Sequence, residues 1–101
     1  MRSDEVWVAK TVLLETDWVL RSVYGFSGRQ VAHALRALAG LPTVHIEDDT
    51  SVARAIDLAE QGFDFADALH IESRGDATAF VSFDEKLVKA ATRMGITAAV
   101  V

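Results

Sequence analysis

The sequence predicts an α/β domain built on a parallel sheet, and three observations carry that prediction. The candidate strands are continuous apolar runs rather than alternating ones, as in Ala-Phe-Val-Ser-Phe (79–83) and Ile-Thr-Ala-Ala-Val-Val (96–101). Helical segments separate these runs, the order that parallel pairing requires. At 101 residues, 50% hydrophobic and 25% charged, the chain (1–101) has the size and composition of one folded domain.

Taken in order, Val6 to Ala9 reads as extended chain or loop. Thr11 is the expected N-cap of a helix running to about Val23 and closed by Gly25. This helix is apolar nearly all round, with only the Asp17–Arg21 pair marking a wet edge, so it is expected to be largely buried. Ser27 caps the next helix, about Gly28 to Ala39, whose stripe is Val31, Ala34, Leu35 and Leu38, and which Gly40 and Pro42 stop. Thr43 to Ile46 is a short strand, and Glu47-Asp48-Asp49 leads into a helix from about Thr50 to Gln61. Asp64 caps a short helix, Phe65 to about Ser73. Ala79 to Phe83 is a strand, Asp84 caps a helix to about Met94, and Ile96 to Val101 is the last strand.

These proportions are uneven. Three strands at ~4.8 Å spacing make a sheet only ~14 Å wide, whereas a helix with its side chains is ~10 Å across. Five helices exceed what such a sheet seats. Either the helices pack on one another as a separate layer, or the sheet is wider than these strands supply.

Composition narrows the function. The chain has no cysteine, which excludes disulfides and thiolate metal sites and points to a reducing cytoplasm. The opening Met-Arg-Ser-Asp-Glu is no signal peptide, and no apolar run approaches a membrane span. A net charge of −5 argues against a module that holds nucleic acid by its overall field. It leaves room for an enzyme whose acids are neutralised by bound cations.

Three carboxylates stand out: Glu15, Asp67 and Asp84. Glu15 shares a helical face with Trp18, Val19 and Val23, where a lone acid is costly unless it is paired, protonated or metal-bound. A salt bridge to Lys10 or to an arginine is its structural alternative. Asp67 lies in the first turn of its helix, three residues after Asp64, in a spacing where a capping box prefers Glu or Gln. Asp64 therefore reads as mainly a cap and Asp67 as the better ligand. Asp84 is the first residue past a strand, where parallel sheets gather ligands, and also a natural N-cap. Glu47, Asp48 and Asp49 read as cap and first-turn acids. His70, one turn from Asp67, reads as a half-buried helix residue within reach of a substrate, and no histidine spacing suggests zinc. An all-oxygen set selects Mg²⁺ or Mn²⁺, ions that activate water against a phosphodiester.

Three segments, Val-Leu-Leu-Glu-Thr-Asp-Trp-Val-Leu-Arg (12–21), Phe-Asp-Phe-Ala-Asp-Ala-Leu-His (63–70) and Phe-Val-Ser-Phe-Asp-Glu-Lys-Leu (80–87), resemble in order and spacing the motifs of PIN-domain ribonucleases, above all VapC-type toxins of type II toxin–antitoxin pairs. The resemblance implies a Mg²⁺- or Mn²⁺-dependent endoribonuclease acting on tRNA- or rRNA-class substrates, a homodimer, and inhibition by a small cognate antitoxin. It places Glu15, Asp67 and Asp84 on the acidic positions, with Asp64 beside them. Arg21 and Lys86 are the cations expected to contact phosphate. The family opens with a central strand bearing a further acid in an Asp-Thr/Ser-Asn motif, and nothing before Val6 matches it. Asp4 and Glu5 sit in a short polar leader. The expectation is thus a partial PIN domain lacking its first central strand. Its alternative function is non-catalytic, as an antitoxin-binding or dimerisation module.

Overall fold

The computed structural model describes residues 3–75, 77 and 79–101. The chain runs β1 (Val6–Val8), α1 (Lys10–Ser22), α2 (Gly28–Ala39), β2 (Val44–Ile46), α3 (Asp49–Glu60), α4 (Phe65–Glu72), β3 (Ala79–Ser82), α5 (Glu85–Arg93) and β4 (Thr97–Val100). The α/β class and the parallel pairing are as expected, and the extended segment at Val6 is a strand. The single sheet is not. β1 pairs β2 in the register Trp7↔His45, β3 pairs β4 in the register Phe80↔Ala98, and the two pairs form separate two-stranded sheets.

Helix packing explains how so little sheet supports five helices. Leu13 of α1, Val31 and Leu35 of α2, Val52 and Ile56 of α3, and Phe65 and Leu69 of α4 interlock in one core. The helices therefore form their own layer, and β1 and β2 lie against its margin through Val8, Val44 and Ile46. A smaller core under β3 and β4 gathers Ile71, Leu87, Ala90 and Ala91. Neither sheet is covered on both faces: Val6, Trp7, Val81 and Val100 are exposed. Continuous apolar runs predicted strands buried on both sides, and that part of the expectation is overturned.

The helix ends follow local chemistry, with two exceptions. Ser27 forms a full capping box with Gln30: Gln30 N–H donates to Ser27 Oγ, and Ser27 N–H donates to Gln30 Oε1 at 2.8 Å. Asp64 and Asp84 cap α4 and α5 as their positions predict. Gly62 and Gly95 leave their helices at φ 103° and 80°, a left-handed region that side chains rarely adopt. Thr11, however, does not cap α1, which begins at Lys10 with Ala9 in the N-cap position, two residues earlier than expected. Its first amide, Lys10 N–H, instead donates at 2.9 Å to Glu47 Oε1 from just beyond β2. The second exception is Asp48. It precedes α3 at φ 51° without a side-chain capping bond, and its carboxylate pairs with Lys10 Nζ at 2.8 Å. Two acids expected to serve α3 therefore fasten α1, and the Lys10 contact pulls the Asp48 pKa below its ordinary value.

The two cores differ in size, so the halves of the chain differ in stability. Amide exchange monitored by NMR is expected to be slowest in α2, α3 and α4, and faster in β3 and β4. Leu35→Ala is expected to cost about 2–5 kcal/mol in chemical denaturation, and Ser27→Ala about 1 kcal/mol.

Candidate functional site

The acid that α1 buries is Asp17, not Glu15. Leu13 and Asp17 lie one turn apart on the stripe that faces the core, and Asp17 is 2% exposed. Glu15, two residues back and so on the far side of the helix, is exposed. It does share a face with Val12, Trp18 and Val19, as its spacing predicts, but that face is open: Trp18 is 60% exposed. The expectations of a largely buried α1, a buried Glu15 and a wet Asp17–Arg21 edge are therefore corrected together. An apolar stripe on both sides of α1 left the sequence with no means of choosing the buried one.

Asp17 tolerates burial because Arg21 satisfies both its oxygens. Arg21 Nε donates to Oδ1 at 2.9 Å and Nη2 to Oδ2 at 2.8 Å, a bidentate pair across one helical turn. The hydrogen-bonded Asp17 holds the guanidinium pKa above its ordinary value, with the charges of Asp17, Asp64 and Asp67 adding to it. Arg21 Nη1 also stands 3.5 Å from Asp64 Oδ2, which ties α1 to the start of α4.

Asp64 has two tasks. Its Oδ1 accepts from Asp67 N–H at 3.0 Å, capping α4, while Oδ2 faces Arg21 and, at 3.9 Å, Lys86 Nζ. Asp67, one turn into α4, has Oδ2 at 3.5 Å from the same ammonium. Asp84 is placed by the end of β3. Its N–H donates to Ser82 Oγ, and its Oδ1 accepts from Lys86 N–H at 3.0 Å and Leu87 N–H at 3.3 Å. Asp64 and Asp84 are each near enough to act on Asp67. Burial raises the Asp67 pKa, the charge of Asp64 and more weakly that of Asp84 raise it further, and Lys86 opposes the rise.

The structure thus gathers Asp64, Asp67 and Asp84 with Lys86, and adds Asp17 and Arg21 as their support. It leaves Glu15 outside. His70 is exposed on α4. Arg21 and Lys86, expected to be phosphate contacts, are both engaged with carboxylates. Asp17 carried one legible signal in the sequence, its spacing of four residues from Arg21.

The donor set suits a hard divalent cation, being all carboxylate oxygen, and positive charge already stands against two of the acids. Among the described residues, however, no three acidic or histidine side chains are placed to share one ion. Comparison with known proteins yields no matching family model, no similar curated protein and no similar solved structure. Among the described residues, no helix is long and apolar enough to cross a membrane.

Asp17→Ala strands the Arg21 guanidinium beside Asp64 and removes a buried bidentate pair. It is expected to cost about 2–4 kcal/mol in denaturant titration, whereas Glu15→Ala is expected to change stability by under about 0.5 kcal/mol. Asp67 binds its proton more tightly folded than unfolded. Stability is therefore lost as pH rises through the raised pKa and regained below the ordinary aspartate range. Asp67→Asn removes this pH-dependent loss and is expected to raise the melting temperature at pH 7 by about 2 °C, with no such gain at pH 3.

Proposed function

We propose that this chain is a PIN-like, Mg²⁺- or Mn²⁺-dependent endoribonuclease of the VapC toxin type. The observation that carries the reading is Asp64 and Asp67 at the start of α4 facing one ammonium, Lys86 of α5, on two of the three segments that resemble the family. Asp64 and Asp67 are the residues that would hold the metal, with Asp84 adjoining. A metal bound there would supply an activated water and a charge to stabilise the leaving oxygen. Arg21 braces the Asp64 carboxylate from α1, and Asp84 caps the first turn of α5, from which Lys86 reaches Asp64 and Asp67.

The two small sheets, on this proposal, are halves of one PIN-like sheet, with β1 and β3 as the edges flanking its central strand position. Their exposed apolar residues, among them Trp7, Val81 and Phe83, support that reading. The placement of Glu15 is the point where the chain departs from it.

A second reading is favoured by that same placement. Glu15 lies with Val12, Trp18 and Val19 on an open helical face, next to exposed Val23 and Tyr24. The chain exposes 6300 Å², about 700 Å² more than the ~5600 Å² expected for a monomer of its mass. One partner in a standard interface buries ~800 Å². A non-catalytic module that dimerises, or that binds a small antitoxin protein in the cytoplasm, would use this face.

Cleavage of tRNA and rRNA by the purified protein with Mn²⁺ or Mg²⁺ separates the readings. The nuclease reading expects cleavage that EDTA stops and that Asp84→Asn brings below detection. Asparagine also caps helices, so this variant is expected to melt within about 3 °C of the parent. Absence of cleavage by folded protein, together with a stable complex that Trp18→Asp disrupts, supports the binding module.

A further inference from the structure

Among the described residues, β2 is paired on one side only, because its sheet has two strands and β1 covers one edge. Beside it lies a cavity of about 570 Å³ between β2, α2 and α3, and Val44, His45 and Ile46 all line it. Successive side chains of a strand point to opposite faces, so a space that meets all three residues runs along the free edge. Val6 N–H donates to Thr43 O and Glu47 N–H to Val8 O, so the main chains of Thr43 and Glu47 face β1. With a period of two, His45 faces β1 as well, while Val44 and Ile46 turn their main-chain groups to the open edge. The Val44 N–H is taken by Leu41 O at 3.1 Å, which leaves Ile46 to donate there. We propose that this edge takes an extended acidic peptide as a third strand, with a peptide carboxylate held by Arg54.

The surroundings select the peptide. Val52 and Ile56 line the cavity and are each 2% exposed, an apolar floor for alternate side chains of an added strand. The charges around that floor are balanced, with one exception. Arg36 pairs with Asp57 at 2.6 Å and with Glu60 at 2.7 Å. Asp49 opens α3, where the helix start offsets a negative charge, and His45 Nε2 stands 3.5 Å from Glu5 Oε2. Arg54 lies exposed in the middle of α3 and has no carboxylate partner among the described residues. Its guanidinium is the cation open to an incoming carboxylate, which it can grip bidentately. A third strand would also steady a sheet that two strands hold only marginally. None of the lining residues belongs to the aspartate cluster, so this site is independent of the metal-site reading.

Fluorescence anisotropy of a labelled Val-Glu-Val-Glu-Val peptide with the whole chain tests this, alongside backbone amide shifts read by NMR. The peptide is expected to bind and to shift the Ile46 amide. It is also expected to bind more tightly than Val-Lys-Val-Lys-Val, although the chain's net charge of −5 favours the basic peptide. Arg54→Gln is expected to weaken the acidic peptide about fivefold, the upper size of one exposed ion pair. Arg29→Gln removes an exposed charge from α2 instead and is expected to change affinity less than about twofold. Methylating every peptide nitrogen removes the donors of an added strand and is expected to abolish binding. Absence of binding at about millimolar peptide, equal effects of Arg54→Gln and Arg29→Gln, or full binding by the methylated peptide would overturn the proposal. Displacement of the peptide by oligouridylate would overturn it too, and would make this edge an RNA surface.

Discussion

The buried Asp17 carboxylate ties α1 to the charged start of α4. Asp17 is buried, where an unpaired acid is strongly unfavourable, and the bidentate Arg21 satisfies it. That pairing lets the Leu13–Asp17 stripe of α1 face inward without an unpaired charge. It also aims the remaining edge of the guanidinium at Asp64, the N-cap of α4. With Asp64 held from both sides, Asp67 follows one helical turn later at a set distance. The start of α4 is thus tied to α1 through an arginine whose other partner is buried.

Around that pair the fold is a helical layer with sheets attached, rather than a sheet with helices attached. The principal core is made by α1 to α4, and the strands contribute at its margin. Two-stranded sheets are marginal on their own, so each depends on a neighbouring helical surface: β1 and β2 on the main core, β3 and β4 on α5 and Ile71. The exposed apolar residues then fall where strands and α1 lack a covering layer, at Trp7, Trp18, Val81 and Phe83.

Charge balance in the cluster follows from the same geometry. The α4 and α5 starts are each capped by an acid, and Lys86 in the first turn of α5 reaches Asp64 and Asp67 at the start of α4. Capping alone accounts for Asp64 and Asp84. Asp67 is in excess of what capping needs, and it is the acid whose proton affinity is raised. Lys86 offsets that excess from the first turn of α5. Acids that start helices thus stand together with one acid beyond them, and Lys86 and Arg21 are the cations paired with them.

Much of the local structure was legible in the sequence. The five helices, three of the strands, the caps Ser27, Asp64 and Asp84, and the parallel pairing follow from periodicity, turn residues and cap chemistry, which act over a few residues. The pairing of Asp17 with Arg21 was visible as a spacing, but its burial was not. Which side of α1 faces inward is decided by Leu13 packing into the core made with α2, α3 and α4, a long-range matter, and α1 is apolar on both sides. The start of α1 was misplaced for a related reason, since its capping carboxylate is Glu47, on a different element. Whether the strands join in one sheet or two is also a matter of long-range packing, because each strand's own residues state only that it is apolar. Sequence alone determined the elements and the acids that could meet. Tertiary structure decided that Asp17 rather than Glu15 is buried, and that Lys86 stands over Asp64 and Asp67, because only packing brings distant charges within reach of one another.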